Sequence, residues 1–223
     1  MTSLRLWITR TQPQADETGD RLRELGHAPV VAPLLAVRPI PDADLDLTDA
    51  AVIAFTSRNA VAAFAAISPR RDLPVVATGA ATAADARAAG FTNVRSAEGD
   101  VAALAVLLAG SRPGGVVIHP GAREPAGDLA GALAAAGIAV RGIAIYETFE
   151  TGAPMPTPID GVLVHSPRAA RALAKVINDS KASTLTLYAI SQAAAEPLDE
   201  SKFRRVAVAP YPNEASLLSV IDG

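Results

Sequence analysis

The sequence predicts an α/β protein with two similar, doubly wound parallel-sheet domains. Half of its 223 residues are apolar but only 4% are aromatic, so the core has to be built from Ala, Val, Leu and Ile. Short apolar runs alternate with Ala-rich segments of helical length, as they do in parallel sheets covered by helices. The length suits two domains of roughly 100 residues each.

Each predicted element follows from a local pattern. Short apolar or β-branched runs predict strands at 4–8, 28–32, 51–55, 75–77, around 94, 115–119, 139–146, 161–164, 184–189 and 205–209, with an extended segment at 35–40. Apolar and small residues at helical spacing predict helices at 16–25, 57–67, 79–90, 101–109, 167–178, 191–198 and 213–221, and a turn at 121–123 leading into a helix that ends at 136. Gly26 and Gly137 are typical residues just after a helix C-terminus.

Two Pro-rich stretches, 34–49 and 147–159, divide the chain into three pieces. The first piece has only two strands, too few to form a sheet alone, so we expect it to join the last piece. The prediction is a discontinuous domain, 1–36 plus 150–223, and an inserted domain, 37–149, joined by a two-stranded linker. A chain that crosses twice also predicts a hinge with a cleft beside it.

Three pairs of landmarks recur at nearly one interval, about 110 residues. The first pair is Ser57 and Ser166, each of which follows an apolar strand and opens an Ala-rich helix. The second pair is Gly79 and Ser191, and the third is the two helix-ending glycines, Gly26 and Gly137. Because the interval is close to half the chain, it predicts an internal duplication, and hence two similar sites for one ligand.

Several classes of protein are excluded or disfavoured. The absence of Cys removes thiol catalysis and disulfides, and His27, His119 and His165 lack metal-ligand spacing, so we expect them to be core or surface residues. A net charge of −3 without a basic run argues against a nucleic-acid partner. The longest apolar run, 101–109, is too short to span a bilayer, and 1–10 lacks a secretory signal, so we expect no membrane association and a cytoplasmic location.

Hydroxyls, small residues and arginines cluster after the predicted strands. The carboxyl ends of parallel strands share one sheet edge, where ligands bind, and helix N-termini there offer N–H groups to anions. The alternative is that these Ser and Thr residues only cap helices. Tyr146 has two readings as well, because a Tyr at a hinge can donate a proton or simply pack. The candidate substrate-binding residues are Thr9, Arg10, Thr56, Ser57, Asn59, Gly79, Thr82, Arg123, Ser166, Arg168 and Ser191.

The order of these motifs resembles uroporphyrinogen-III synthase over nearly the whole chain. The matching fragments are Ile8-Thr-Arg, the helix end at 22–26, Phe55-Thr-Ser-Arg-Asn-Ala-Val, Thr78-Gly-Ala-Ala-Thr82, Gly121-Ala-Arg123, Val140 to Tyr146-Glu-Thr and Ser166-Pro. The resemblance implies two flavodoxin-like α/β domains and a cofactor-free enzyme of tetrapyrrole synthesis. We expect the protein to be a monomer. The family often has Gly and Thr where Ser191 and Ala194 stand here, so this chain lacks a hydroxyl at 194.

The resemblance also implies a reaction. The substrate would be hydroxymethylbilane, a linear tetrapyrrole with eight carboxylates, which loses water and closes into a ring with its last pyrrole inverted through a spirocyclic intermediate. The enzyme would mostly position the substrate, with Tyr146 as the catalytic residue that protonates the departing hydroxyl. Two other functions remain open from the sequence: a two-lobed non-enzymatic binder of a small anion and an FMN-binding flavodoxin-like protein.

Overall fold

The computed structural model describes residues 2–125 and 127–221. The chain forms two compact units. Unit 1 comprises Met1–Ala36 and Phe149–Gly223, and unit 2 comprises Val37–Thr148. No helix in the described ranges is long and apolar enough to cross a membrane.

Unit 1 is a five-stranded parallel sheet covered by helices. Its elements are β1 (Arg5–Ile8), α1 (Gln14–Glu24), β2 (Ala28–Val31), β9 (Gly161–Val164), α6 (Pro167–Val176), α7 (Asp179–Ala182), β10 (Thr186–Ala189), α8 (Gln192–Ala195), a 3₁₀ helix (Glu200–Lys202), β11 (Arg205–Val208) and α9 (Glu214–Ser219). The spatial order is β2-β1-β9-β10-β11, the flavodoxin-like order.

Unit 2 has a six-stranded sheet. Its elements are β3 (Leu35–Pro39), β4 (Ala50–Phe55), α2 (Arg58–Ile67), β5 (Val75–Ala77), α3 (Ala80–Ala88), β6 (Val94–Ser96), α4 (Val101–Ser111), β7 (Val116–Ala122), α5 (Leu129–Ala134) and β8 (Val140–Glu150). The spatial order is β3-β8-β7-β4-β5-β6. The chain passes from unit 1 to unit 2 within β3 and returns within β8.

All five strands of unit 1 have a counterpart in unit 2 when the chain is shifted by about half its length, and only β3 of unit 2 is left over. Strands β1 and β2 correspond to β7 and β8, and β9, β10 and β11 correspond to β4, β5 and β6, in the same spatial order. The register agrees as well, because Leu6 pairs with Gly161 in unit 1 and Val117 pairs with Val52 in unit 2. Unit 2 is therefore a circularly permuted counterpart of unit 1, and a position in these strands has its equivalent about 110 residues away.

Each sheet has apolar clusters on both faces, because successive side chains of a strand point to opposite sides. In β4, Ile53 and Phe55 pack in one cluster and Val52 and Ala54 in another. Strand β9 is buried along its whole length, as expected for a central parallel strand. These two faces of buried residues confirm the predicted doubly wound α/β class.

Some predicted boundaries were wrong. Strand β7 continues to Ala122, where a turn at 121–123 was predicted, because its backbone stays paired with β8. The second linker was predicted to begin at 147, but β8 extends to Glu150. Helix α8 ends at Ala195 because Pro197 has no N–H to continue it. The short helix α7 and the 3₁₀ helix were not predicted.

Candidate active site

The strand order of unit 2 reverses between β4 and β7, because the chain runs from β4 outward to β5 and β6 and then crosses back to β7. Ligands of open α/β sheets bind at such a reversal, beyond the carboxyl ends of the strands. Thr56 and Ser57 directly follow β4 at this edge. Each of these two consecutive hydroxyls makes a side-chain hydrogen bond to a different strand.

Ser57 joins the start of helix α2 to Tyr146 of β8. Its backbone is extended, and its Oγ accepts the N–H of Ala60 at 3.1 Å, as a helix N-cap does. The same Oγ lies 2.9 Å from the Tyr146 Oη. The cap residue of α2 is thereby in direct contact with the phenol.

Tyr146 is nearly enclosed, with 6% of its surface exposed. Burial raises the pKa of the Tyr146 phenol, and the Ser57 hydrogen bond only partly offsets this effect. A phenol whose pKa is raised stays protonated at neutral pH. Tyr146 is therefore in the protonated form that can donate a hydrogen bond or a proton.

Thr56 meets a histidine that the sequence did not single out. Its Oγ1 lies 3.1 Å from Nε2 of His119, which is on β7. His119 is 8% exposed, and burial lowers the pKa of its imidazole, so the ring is neutral at pH 7. A neutral ring has one donor and one acceptor nitrogen, and either role suits a hydroxyl partner.

A cavity of about 230 Å³ lies in unit 2 against His119, at the carboxyl end of β7 and along the first half of β8. His119 and Arg123 are among its lining residues, together with Gly121, Ala122, Pro125, Gly142, Ile143 and Ala144. Arg123 has a side chain that is 60% exposed, and its Nε lies 3.4 Å from Oε2 of Glu147. Glu147 also pairs with Arg38 at 2.5 Å, so one carboxylate holds two guanidinium groups.

The other candidates of unit 2 lie at the same sheet edge. Gly79 follows β5 and is the N-cap of α3, and Thr82 is a buried residue in the first turn of that helix. The extended backbone of Gly79, with φ −137°, does not itself require glycine. A Cβ at this position would meet only the carbonyl oxygen of Gly99, at 4.0 Å. Asn59 is half-buried in the first turn of α2.

The candidates of unit 1 that follow β1 are engaged within the protein. Thr9 is fully buried, and its hydroxyl donates to the carbonyl of Leu163 at 2.6 Å, which joins the ends of β1 and β9. Arg10 donates from Nη1 to Oε2 of Glu214 at 2.7 Å and contacts the Thr18 hydroxyl at 3.3 Å. Thr9 and Arg10 therefore hold parts of unit 1 together in this structure.

Glu214 lies at the start of α9 and is central to this group. Burial by itself would raise the pKa of its carboxyl. Three neighbours lower it and hold that pKa well below its usual 4.5: the polar but uncharged ring of His165, the Thr18 hydroxyl and the positive charge of Arg10. Glu214 is therefore ionised at neutral pH, as a carboxylate paired with an arginine should be.

His165 packs against the same carboxylate. Its Nε2 lies 3.2 Å from Oε2 of Glu214, but neither ring nitrogen has a hydrogen-bond partner of good geometry among the described residues. Burial lowers the pKa of the imidazole, and the Arg10 charge adds to this, while Glu214 acts in the opposite direction. Burial prevails because the side chain is only 5% exposed, so we take His165 as neutral.

The remaining candidates of unit 1 begin helices. Ser166 is the N-cap of α6 and accepts the N–H of Ala169 at 3.1 Å, which repeats the geometry of its equivalent, Ser57. Arg168 is half-buried in the first turn of α6. Ser191 caps α8 through the N–H of Ala194, which is fully buried. The equivalents of Ser191 and Ala194 in unit 2 are Gly79 and Thr82.

A family model and solved structures identify known proteins that this chain resembles. The family described as Uroporphyrinogen-III synthase HemD matches residues 16–219. A search of curated proteins gives no match. The chain is similar in fold to the uroporphyrinogen-III synthetase of Helicobacter pylori 26695, with a TM-score of 0.73, 17% identity and coverage of 99% of this chain and 98% of that one.

A second solved structure agrees at the level of the fold. It is a mutant uroporphyrinogen III synthase of the extremely thermophilic bacterium Thermus thermophilus, with a TM-score of 0.57, 17% identity and the same two coverages, 99% and 98%. Identities this low show the fold alone, whereas the family match extends over most of the sequence. The chain belongs to the uroporphyrinogen-III synthase HemD family.

Proposed function

We propose that this chain closes hydroxymethylbilane into uroporphyrinogen III, with inversion of the last pyrrole ring and loss of water. Membership of the synthase family supports the reaction. The observation that carries the assignment of roles is the 2.9 Å contact of the Ser57 and Tyr146 hydroxyls where the strand order of unit 2 reverses. The cofactor-free chemistry expected of the family needs one proton donor and many positioning contacts.

The hydroxyl pair suits the departure of the substrate hydroxyl. Two O–H groups share one hydrogen bond, so whichever of them donates within the pair, one O–H remains available to the substrate. In the proposed step the carbon–oxygen bond breaks and the leaving oxygen takes the Tyr146 proton to become water. The last ring then attacks the resulting electrophilic methylene through its substituted carbon, which gives the spirocyclic intermediate. The bond between that carbon and its original methylene bridge breaks, and the freed methylene joins the unsubstituted carbon of the same ring. The proton that this carbon loses as the ring regains aromaticity returns to Tyr146.

Helix N-termini support the binding of the carboxylates. Helices α2 and α3 begin at the same sheet edge, and their first N–H groups and dipoles favour anions. We assign the binding of substrate carboxylates at this edge to Thr56, Ser57, Asn59, Gly79 and Thr82. Arg123 adds a positive charge at the cavity, where its exposed guanidinium can meet a substrate carboxylate as well as Glu147.

Unit 1 contributes a second set of contacts in this proposal. Ser166 and Arg168 lie at the start of helix α6, which has the same length as α2 and offers the same kind of N-terminus. Ser191 caps a much shorter helix, so few aligned N–H groups are added there. Thr9 and Arg10 act indirectly, because their side chains hold β1 against β9 and α9.

The alternative of a non-enzymatic anion binder is not favoured, because the family match is to a synthase. We propose that the enzyme is monomeric and cytoplasmic and takes only its tetrapyrrole substrate as partner. The test is to supply purified protein with freshly prepared hydroxymethylbilane and to separate the product isomers. Mainly uroporphyrinogen III is expected, whereas the uninverted isomer at the spontaneous rate would refute the proposal.

A further inference from the structure

His119 stands out because the packing of the sheet does not require a histidine at its position. Its equivalent in unit 1 is Ile8, since Leu6 pairs with Gly161 as Val117 pairs with Val52. Ile8 is fully buried in an apolar cluster. The same strand position therefore accepts an aliphatic side chain, and placing an imidazole there instead costs free energy of desolvation.

The partner of His119 is equally specific to unit 2. Thr56 is the equivalent of His165, whose ring nitrogens have no hydrogen-bond partner of good geometry among the described residues and lie nearest to Glu214. Both positions therefore differ between the units, and in unit 2 the two residues present make a hydrogen bond of 3.1 Å. The contact joins residues 63 positions apart, across the two strands between which the strand order reverses.

His119 borders a cavity, and its partner Thr56 is not fully buried. His119 lines the cavity of about 230 Å³, and a Cβ on Gly121 would lie 3.7 Å from His119 Nε2. Thr56 is half-buried and directly precedes Ser57, the partner of Tyr146. A free threonine hydroxyl samples several directions, whereas a hydrogen bond to a buried ring selects one.

We propose that His119 is a positioning residue for ring closure, which fixes the Thr56 hydroxyl so that it presents its remaining hydrogen-bonding capacity to the substrate next to Tyr146. If Nε2 accepts a hydrogen bond from the Thr56 hydroxyl, the Thr56 oxygen is free to accept one from a pyrrole N–H of the substrate. If Nε2 donates, the Thr56 O–H faces a carboxylate. The inference rests on the proposed function, because Thr56 is assigned there to substrate binding.

A double-mutant cycle tests whether His119 acts through Thr56. The variants are His119→Ile, which introduces the residue of unit 1, Thr56→Val, which removes the hydroxyl at constant shape, and the two combined. His119→Gln is the rescue variant, because its amide can reach the Thr56 hydroxyl. The assay measures kcat, KM and the fraction of uroporphyrinogen III formed from hydroxymethylbilane, with thermal unfolding as the folding control.

We expect His119→Ile to lower kcat/KM by roughly 10-fold, mainly through kcat, and to lower the fraction of the inverted isomer. In the Thr56→Val background the same change should cost less than about 2-fold, because the contact is already lost. His119→Gln should recover most of the rate. If His119→Ile does not fold, the cycle is run with His119→Asn, whose shorter amide stops before the position of Nε2.

Independent effects of the two changes, or full activity in His119→Ile, would overturn the inference. Failure of His119→Gln to recover any rate while it folds normally would also count against it. The proposed function fails on a different result of the same assay, because the wild-type protein would then form no uroporphyrinogen III. The two failures are therefore distinguished before any variant is compared.

Discussion

The Oγ of Ser57 and the Oη of Tyr146 lie 2.9 Å apart, so the N-cap of α2 and a phenol of β8 form one hydrogen-bonded pair. Ser57 satisfies the Ala60 N–H at the same time. The pair thus connects a helix N-terminus, where negative charge is stabilised, to a group that can supply a proton. The first two predictions follow from this pair.

Tyr146→Phe removes the proposed proton donor and keeps the ring in its apolar surroundings. We expect turnover of hydroxymethylbilane to fall by roughly 10- to 10³-fold, because general acid assistance to the leaving hydroxyl is lost. The unfolding midpoint should change little, since the ring is packed in an apolar cluster. The measurement is steady-state kinetics with urea unfolding of both proteins, and an unchanged kcat would remove Tyr146 from the mechanism.

Ser57→Ala removes the cap of α2 and the partner of Tyr146 together. We expect a loss of about 0.5–2 kcal/mol in unfolding free energy, as for other N-cap serines, and a fall in kcat. Asp100→Ala is the matched control, because Asp100 caps α4 in the same unit through the N–H groups of Ala102 and Ala103. The control should lose stability but keep its kcat. Equal kinetic effects in the two variants would reduce Ser57 to a helix cap.

Gly79→Ala tests whether the substrate approaches the N-terminus of α3 closely. The fold should tolerate the methyl group within about 1 kcal/mol, because φ is −137° and the nearest atom is 4.0 Å away. We expect KM to rise by roughly tenfold, about 1.4 kcal/mol of lost binding. Gly110→Ala, inside α4 with no atom near its Cβ, should leave KM unchanged. The same KM for both variants and the wild type would show that the site does not need glycine.

The pH dependence of stability should report on His165. Because burial lowers the pKa of His165 in the folded protein below 6.5, the unfolded chain binds this proton more readily. The stability that the folded protein gains from keeping the His165 ring neutral is complete above pH 6.5. It is lost as the pH falls toward the pKa of His165 in the folded protein. His165→Leu cannot take up this proton, so its unfolding free energy should fall less steeply with acid, by at most about 1.4 kcal/mol per pH unit. Urea unfolding at several pH values measures this, and parallel curves would contradict it.

The fold followed from the sequence because its signals are local. Apolar runs and Ala-rich segments predict strands and helices from the neighbouring residues alone. The helix ends are marked in the same way by Gly26 and Gly137, which adopt the left-handed conformation with φ of +83° and +67°. The repeat interval proved to relate two sheets of the same strand order and register. The end of β7 was missed, because pairing with β8 overrides the turn preference of Gly121.

The contacts of the site could not be predicted in the same way. His119 and Thr56 are 63 positions apart, and Arg10 and Glu214 are 204 apart, so only the folded sheet brings them together. A lone histidine in a strand is most often a core residue, and the sequence alone offered no reason to treat His119 differently. The repeat did hold one signal, because the position equivalent to His119 carries the apolar Ile8. The predicted roles of the site residues stay predictions until the variants are measured.

The most direct measurement of the central claim is the isomer ratio formed from hydroxymethylbilane by the wild-type protein under conditions where the spontaneous reaction is slow. Our account predicts that uroporphyrinogen III dominates, because the protein holds the substrate so that the last ring turns before it closes. A product consisting only of the uninverted macrocycle, at the rate seen without protein, would contradict the account.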